Sequence, residues 1–339
     1  MADRPAQLVT EPSPDARPIV WWRRAAAPLL WAWTSVAGVL GLTQAVGWSP
    51  VSVVYVLQAL TPFVLAPSLP IAAVAAWRRR WWPTAVHGGL VVALIVLAAP
   101  LLFHGSPPDV PDGAPSMRVT FSNVYFESER HEEAAVTLMA LDADLLGLVE
   151  VTPRQVAALR EAGVDERYPF RAGSVDRDRD GVVLYSRVPI LRASTRVLGT
   201  SPAVDAVVDL DGTEVRVLVV HAKAGVDQDD LGNWETDLEA VHDELTGTTL
   251  PTMVIGDFNA SRWHPAYRDM LDGTGFHDVH EWLGEGCAAS WPNDLPLPAF
   301  VRIDHALVDG LVPTTIEDVD VPGSDHRAFV ASVAVAPGT

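Results

Sequence analysis

Three apolar stretches dominate the first hundred residues, at positions 25–46, 51–77 and 84–103, and none contains Asp, Glu, Lys or Arg. Each reaches the ~20 residues that a helix needs to cross a bilayer. Pro62, Pro67 and Pro70 predict a kink in the second stretch, which packed membrane helices tolerate. Beyond residue 116 the pattern changes to short β-type runs alternating with amphipathic segments. MRVTFSN (117–123), DLLGLVEV (144–151), GVVLYS (181–186), AVDAVVDL (203–210), EVRVLVVH (214–221), TMVIGD (252–257), RIDHALV (302–308) and AFVASVAV (328–335) read as strands. DLDG at 209–212 supplies a hairpin turn.

Helices are predicted over 131–141, after the Thr152-Pro153 start signal up to Gly163, over 229–245 and near 267–271. In the third of these, Leu231, Trp234, Leu238, Val241 and Leu245 recur at helical spacing. Strands that mix hairpins with helical connections predict two packed sheets flanked by helices rather than one doubly wound parallel sheet.

Charge divides the chain at the same place. Of 24 Lys/Arg and 43 Asp/Glu, residues 1–103 hold seven and three, so the acidic surplus belongs to the later region. The seven are arginines that flank the first stretch or fall between the second and third, in WRRRWW, with Trp21, Trp22, Trp81 and Trp82 beside them as interfacial aromatics. The positive-inside rule then gives a multi-pass plasma-membrane protein with a cytoplasmic amino terminus and everything after His104 outside. The expected organisation is a Pro-rich disordered tail within residues 1–24, a three-span anchor over 25–103, a Pro/Gly spacer at 104–116 that lifts the next unit off the membrane, and a catalytic domain over 117–339. A helical bundle buried in a soluble protein is the competing reading of the anchor. Cys287 is the single cysteine, which excludes an intramolecular disulfide and disfavours a structural zinc site.

Polar residues gather at the ends of the predicted strands: Asn123, Glu150, His221, Asp257 with Asn259, Asp304, and Ser324-Asp325-His326. In an extended chain Asp257 and Asn259 would face one side. Hard oxygen donors suit Mg²⁺ or Mn²⁺, and imidazoles beside carboxylates suit proton transfer, so the set fits attack of water on a phosphate ester. Taken singly, each residue is also a good turn former or cap, and Asp304 could simply pair with Arg302.

The ordered series SNV (122–124), LLGLVEV (145–151), GVVLYSRVPI (181–190), VVHAKA (219–224), GDFNA (256–260), RIDHALV (302–308) and SDHRAFV (324–330) resembles the endonuclease/exonuclease/phosphatase superfamily, over about residues 117–335. The resemblance implies a four-layered α/β sandwich and a metal-dependent phosphoesterase. It implies that Glu150, with Asn123 and Asp325, holds the metal, that Asp257 activates water, and that Asn259 holds phosphate or water. His326 would stabilise the transition state with Asp304 orienting its ring, and His221 would contact phosphate or assist the leaving group. Asp180 is the candidate acidic partner of His221, and Tyr125 departs from the acid that abasic-site enzymes carry there.

The implied partner is a phosphate-ester substrate, nucleic acid or lipid headgroup, with no obligate protein partner. The acidic surplus weighs against nucleic acid, which is bound through Lys and Arg, although Arg171, Arg177, Arg179, Arg187 and Arg192 cluster in sequence and could face a polyanion or balance nearby aspartates. Trp291 falls where the superfamily often has a substrate-facing Trp. A non-catalytic surface module is the reading from another class, and the full complement of polar strand ends argues against it. A reporter that is active only outside the cytoplasm, fused after Thr339, is expected to be active; activity of a cytoplasm-dependent reporter instead would refute the orientation.

Overall fold

The computed structural model describes residues 21–336, with the side chains of the first helix from Pro28 onward. The expected disordered tail, and the side chains of Trp21, Trp22, Arg23 and Arg24, lie outside the described residues. In chain order the helices are α1 (Trp21–Val46), α2 (Ser52–Ala59), α3 (Thr61–Leu65), α4 (Ser68–Trp77), α5 (Trp81–Leu102), α6 (His131–Ala140), α7 (Pro153–Glu161), α8 (Val164–Arg167), α9 (Gln228–Thr246), α10 (Pro265–Leu271) and α11 (Val279–Trp282). The strands are β1 (Ser116–Asn123), β2 (Leu145–Val149), β3 (Phe170–Ser174), β4 (Val182–Ser186), β5 (Ile190–Leu198), β6 (Ser201–Leu210), β7 (Thr213–His221), β8 (Thr252–Asp257), β9 (His277–Asp278), β10 (Asp304–Asp309), β11 (Leu311–Asp320) and β12 (Arg327–Val335).

They form two mixed six-stranded sheets, ordered β11-β12-β1-β2-β4-β3 and β5-β6-β7-β8-β10-β9. Each sheet contains one parallel pair, β1 with β2 and β7 with β8. Parallel neighbours need a crossover, and α6 and α9 supply them, so each sheet acquires a helical cover on its outer face. Side-chain alternation then builds the layers. Val217, Val219 and Ile255 point into the seam between the sheets, while Leu218, Val220 and Val254 pack outward beneath α9. The other sheet packs outward on α6 and α7. The sheets approach so closely that a Cβ on Gly147 would stand 2.6 Å from Ile255 Cδ1. This is the expected four-layered α/β sandwich. The turn at 209–212 also forms, with Asp211 and Gly212 both at positive φ as a hairpin of that type requires.

Among the described residues the apolar region offers two candidate spans, or three if its bent middle pair counts as one. Helices α1 and α5 include spans long and apolar enough to cross a membrane. The middle stretch is broken rather than kinked: Leu60 leaves the helical region, Pro62 sits in the first turn of α3 and Pro67 precedes α4. Each proline lacks a donor for the preceding turn, and α2 stands at 80° to the α3–α4 segment. Trp31, Trp77, Trp81 and Phe103 are largely exposed, an apolar surface of the kind that meets a membrane or another protein.

The spacer at 104–116 does not hold the two regions apart. Gln44 Nε2 donates to the Trp263 carbonyl at 2.7 Å, Arg268 reaches Gln44 Oε1 at 2.9 Å, and Arg262 donates to the Leu97 carbonyl at 2.8 Å. Helices and sandwich are packed together.

One buried ion pair at the sheet edge bears on the site. Arg302 donates to Asp318 Oδ2 at 2.6 Å, with His280 Nε2 3.4 Å from the other oxygen. Arg302 therefore does not engage the Asp304 carboxylate. Burial raises the Asp318 pKa, but His280 and Arg302 outweigh it and bring the carboxyl down to about 2. A carboxyl with a lower pKa folded than unfolded stabilises above its ordinary range, and that contribution fades as pH falls toward the folded value. Asp318→Asn is expected to lower the unfolding free energy by about 2–4 kcal/mol at neutral pH, the gap from wild type closing between about pH 4 and pH 2. Denaturant melts of the detergent-solubilised chain check this, and a gap independent of pH contradicts it.

Candidate active site

Register within the second sheet sets three functional side chains in a row. His221 at the end of β7 lies opposite Asp257 at the end of β8, and Asp257 lies opposite Asp304 at the start of β10. The first sheet brings the rest. Asn123 closes β1 beside Val149 of β2, and the next residue, Glu150, turns into the left-handed region at φ 59°. That conformation is costly for a residue with a Cβ and recurs at functional sites. It delivers the carboxylate to a backbone donor, the Phe126 N–H, at 3.0 Å. Asn123 Nδ2 joins the two sheets, donating to Glu150 Oε1 and to Asp257 Oδ2, each at 3.1 Å. Its side-chain oxygen Oδ1 accepts the Tyr125 N–H, so the side-chain NH₂ is what Asn123 presents to the site.

His326 enters one residue before β12. Ser324 fixes this loop, donating to the Asn123 carbonyl at 2.7 Å and accepting the His326 N–H at 3.0 Å. The ring Nδ1 meets Asp304 Oδ2 at 2.8 Å, leaving Nε2 3.7 Å from Asp257 Oδ2 and 3.9 Å from Asp325 Oδ1. Asp325 Oδ2 in turn accepts the Trp291 indole N–H at 3.2 Å.

Asn259 arrives differently from the period-two expectation. The strand stops at Asp257, and Asn259 sits at φ 47° with its N–H donated to Asp257 Oδ1 at 2.8 Å. A left-handed turn, not strand alternation, brings it to the same opening.

Glu150, His221, Asp257, Asn259, Asp325 and His326 line one cavity of about 420 Å³, with Asn123 and Asp304 behind it. Asp180 reaches only the rim, where it is half exposed and paired with Lys223 Nζ at 2.9 Å. The carboxylates near His221 Nε2 are instead Glu150 at 3.7 Å and Asp257 at 3.8 Å. The arginine cluster disperses. Arg187 pairs with Asp142, Arg192 with Glu214, Arg171 lies over Tyr185, and Arg179 alone of the five lines the cavity. Trp291 does line the cavity, and so do residues that sequence reasoning missed: Lys223, whose spacing two beyond His221 in VVHAKA was a usable signal, and Tyr55 of α2, for which no local signal exists.

The two histidines are driven apart. Burial works against a charge on His326, but Asp304 and Asp257 overcome it and raise the pKa to about 10. Burial lowers that of His221, with Asp257 opposing and the His326 charge adding to the fall. Burial and Asp304 push Asp257 upward, and burial does the same to Glu150 against the Phe126 and Asn123 donors.

One imidazolium thus faces four carboxyl groups, a surplus of hard anionic oxygen that a divalent cation would balance. Asp257, Asp304 and His326 offer ligand atoms within 4.8 Å of one another, yet Asp304 Oδ2 and His326 Nδ1 are already hydrogen-bonded together. Asp325 Oδ1 is buried without a hydrogen bond, and each Glu150 oxygen accepts one bond and retains a lone pair. The donor set at Glu150 and Asp325 fits a hard metal.

In the metal-free protein, His326 is expected to remain charged at pH 8 while His221 is neutral. ¹⁵N-histidine NMR of the solubilised chain reads both, and a neutral His326 at that pH would refute the assignment.

The model of the Endonuclease/Exonuclease/phosphatase family matches residues 121–326. Among solved structures, the chain is similar to humanized D. rerio TDP2 carrying 14 mutations, with a TM-score of 0.56 and 17% identity over 66% of this chain and 100% of that one. It is also similar to a mannosyl-6-phosphatase of Bacteroides thetaiotaomicron, at 0.52 and 16% over 64% and 99%. The human Nocturnin catalytic domain with bound sulfate gives 0.51 and 18% over 67% and 97%. At such identities the likeness is one of fold. Comparison with curated protein sequences gives no match.

Proposed function

The chain belongs to the endonuclease/exonuclease/phosphatase family, whose members hydrolyse phosphate esters, and from that premise we propose a divalent-metal-dependent phosphoesterase working at the outer face of the plasma membrane. The observation that carries the reading is the line Asp304–His326–Asp257, a charged imidazole held at 2.8 Å by one buried carboxylate and facing another at 3.7 Å. A structural loop histidine would have no need of that arrangement beside Glu150.

In this reading Glu150 and Asp325 hold Mg²⁺ or Mn²⁺, with the Asn123 amide keeping Glu150 in place. The metal, when bound, screens the phosphate charge and polarises the bond to the leaving group. Asp257 accepts the proton of the attacking water, its orientation fixed by the Asn259 N–H and the Asn123 amide. Asn259 steadies the water or a phosphate oxygen. His326 donates from Nε2 to the oxygen on which charge develops, and Asp304 holds the ring in the orientation that makes this possible. His221, neutral and buried, contacts the phosphate through its ring N–H, or relays a proton to the leaving group by taking one on its free ring nitrogen as it gives the other. The bonds cut are phosphodiester bonds, and a phosphatase acting on monoesters is the variant reading of the same constellation.

The apolar lengths of α1 and α5 support an anchor over 25–103, and the arginine distribution supports the outward orientation of the unit at 117–339.

Asp257→Asn and His326→Ala are each expected to cut turnover of 4-nitrophenyl phosphoesters by about 10²–10⁴-fold. Chelation by EDTA should abolish activity and added Mg²⁺ or Mn²⁺ restore it. Undiminished hydrolysis by Asp257→Asn, or full activity in EDTA, would overturn the mechanism.

A further inference from the structure

The cavity is lined by two kinds of residue. Glu150, His221, Asp257 and His326 are polar; Tyr55, Val56, Ala59 and Leu60 give it an apolar wall, together with Val226 and Phe300. The first four of these apolar residues come not from the sandwich but from α2 and its junction with α3, in the broken segment between the two long apolar helices. The joint is a built one. The Tyr55 hydroxyl donates to the Asn259 carbonyl at 2.5 Å, inside the site itself. Its ring stands edge-on to Trp234 at 4.8 Å, its carbonyl lies 3.1 Å from Nε2 of buried His264, and a Cβ on Gly225 would collide with the ring. Phe63 meets Phe300 edge-on at 6.1 Å.

Within the same segment Val53, Val56 and Phe63 are exposed, Val56 at the cavity itself. The apolar wall therefore continues into a surface of the kind that contacts lipid.

We infer that the site takes an amphiphilic phosphate ester drawn from the bilayer, with its phosphate among the carboxylates and histidines and its hydrocarbon chain along α2 and α3. The inference rests on the phosphoesterase reading of the same site and names its substrate class. A nucleic acid fits worse. Its backbone asks for a track of cations, whereas this cavity offers Arg179 and a Lys223 already paired with Asp180, and half its wall is apolar. In the reaction, water forms the new P–O bond, the P–O bond to the leaving group breaks, and the proton that Asp257 takes from water ends on a leaving alkoxide or, where a phenolate leaves as the anion, in solvent.

The test uses the full chain in detergent micelles with Mg²⁺ and two probes that share their reacting bonds, methyl and dodecyl 4-nitrophenyl phosphate. The dodecyl ester is expected to have at least about a tenfold higher kcat/KM. Partition into the micelle could raise that ratio without any chain-binding wall, so the deciding readout is its response to Val56→Gln and Ala59→Trp. Each should shrink the dodecyl-to-methyl ratio at least about fivefold. A ratio that neither substitution moves, or faster cleavage of plasmid DNA than of the dodecyl ester, overturns the substrate assignment while leaving the phosphoesterase reading intact. Turnover of none of these esters overturns that reading and the assignment with it. Should a variant fail to fold, a dodecyl phosphonate with a terminal diazirine decides on the wild type. Photolabel within Ser52–Ala59 or Thr61–Leu65 supports the wall, and label absent from both overturns it.

Discussion

Register between three strands is the constraint on which the site depends. His221, Asp257 and Asp304 meet because β7, β8 and β10 pair with one particular alignment, and that alignment is enforced far from the polar ends. Val217, Val219 and Ile255 must enter the seam between the sheets while Leu218, Val220 and Val254 go beneath α9. A slip of one residue would reverse both faces of a strand buried on both sides. Because Gly147 admits Ile255 at close quarters, the second sheet also has little freedom to slide over the first. The hydrophobic core thus acts as the positioning device for a polar cluster that by its own electrostatics would fly apart.

That electrostatic tension is the chemical content of the site. Four carboxyl groups around a single imidazolium are unfavourable alone, and the Asn123 amide, the Phe126 and Asn259 N–H groups and the Trp291 indole each relieve part of it. Burial disfavours charge on both histidines, but the Asp304 carboxylate bonded to His326 overcomes it there, and His221 has no such bond. Such separation of protonation behaviour between like residues is the usual mark of divided acid and base duties.

How much of this was legible in the sequence depended on how local the information was. Strands buried on both faces wrote themselves as apolar runs, and all eight are found. The four strands not anticipated, β3, β5, β9 and β11, are the four edges of the two sheets. An edge strand such as β5 is largely exposed and carries Arg and Ser along its length, so its composition resembles a loop; protection of edges by charge hides them from pattern reading. The polar strand ends were visible as a series, and the structure gathers them at one cavity and the layer behind it. Pairings were not visible: Arg302 lies two residues from Asp304 in the chain but binds Asp318, and Asp180 turns to Lys223. Tyr55 lies 204 residues from the carbonyl it bonds, and only the fold could join them.

The docking of α2 changes what counts as a unit of this molecule. By chain order the sandwich begins after the linker, and a cut there looks like a clean excision. Yet Tyr55 belongs to the same apolar cluster as Trp234, Phe258 and Tyr267, so that cut would pass through a core and strip one side from the opening where Asn259 stands. The apolar segment is less a tether than a missing piece of the wall: a fragment made without it would be an incomplete container, with its innermost greasy surface turned out to water.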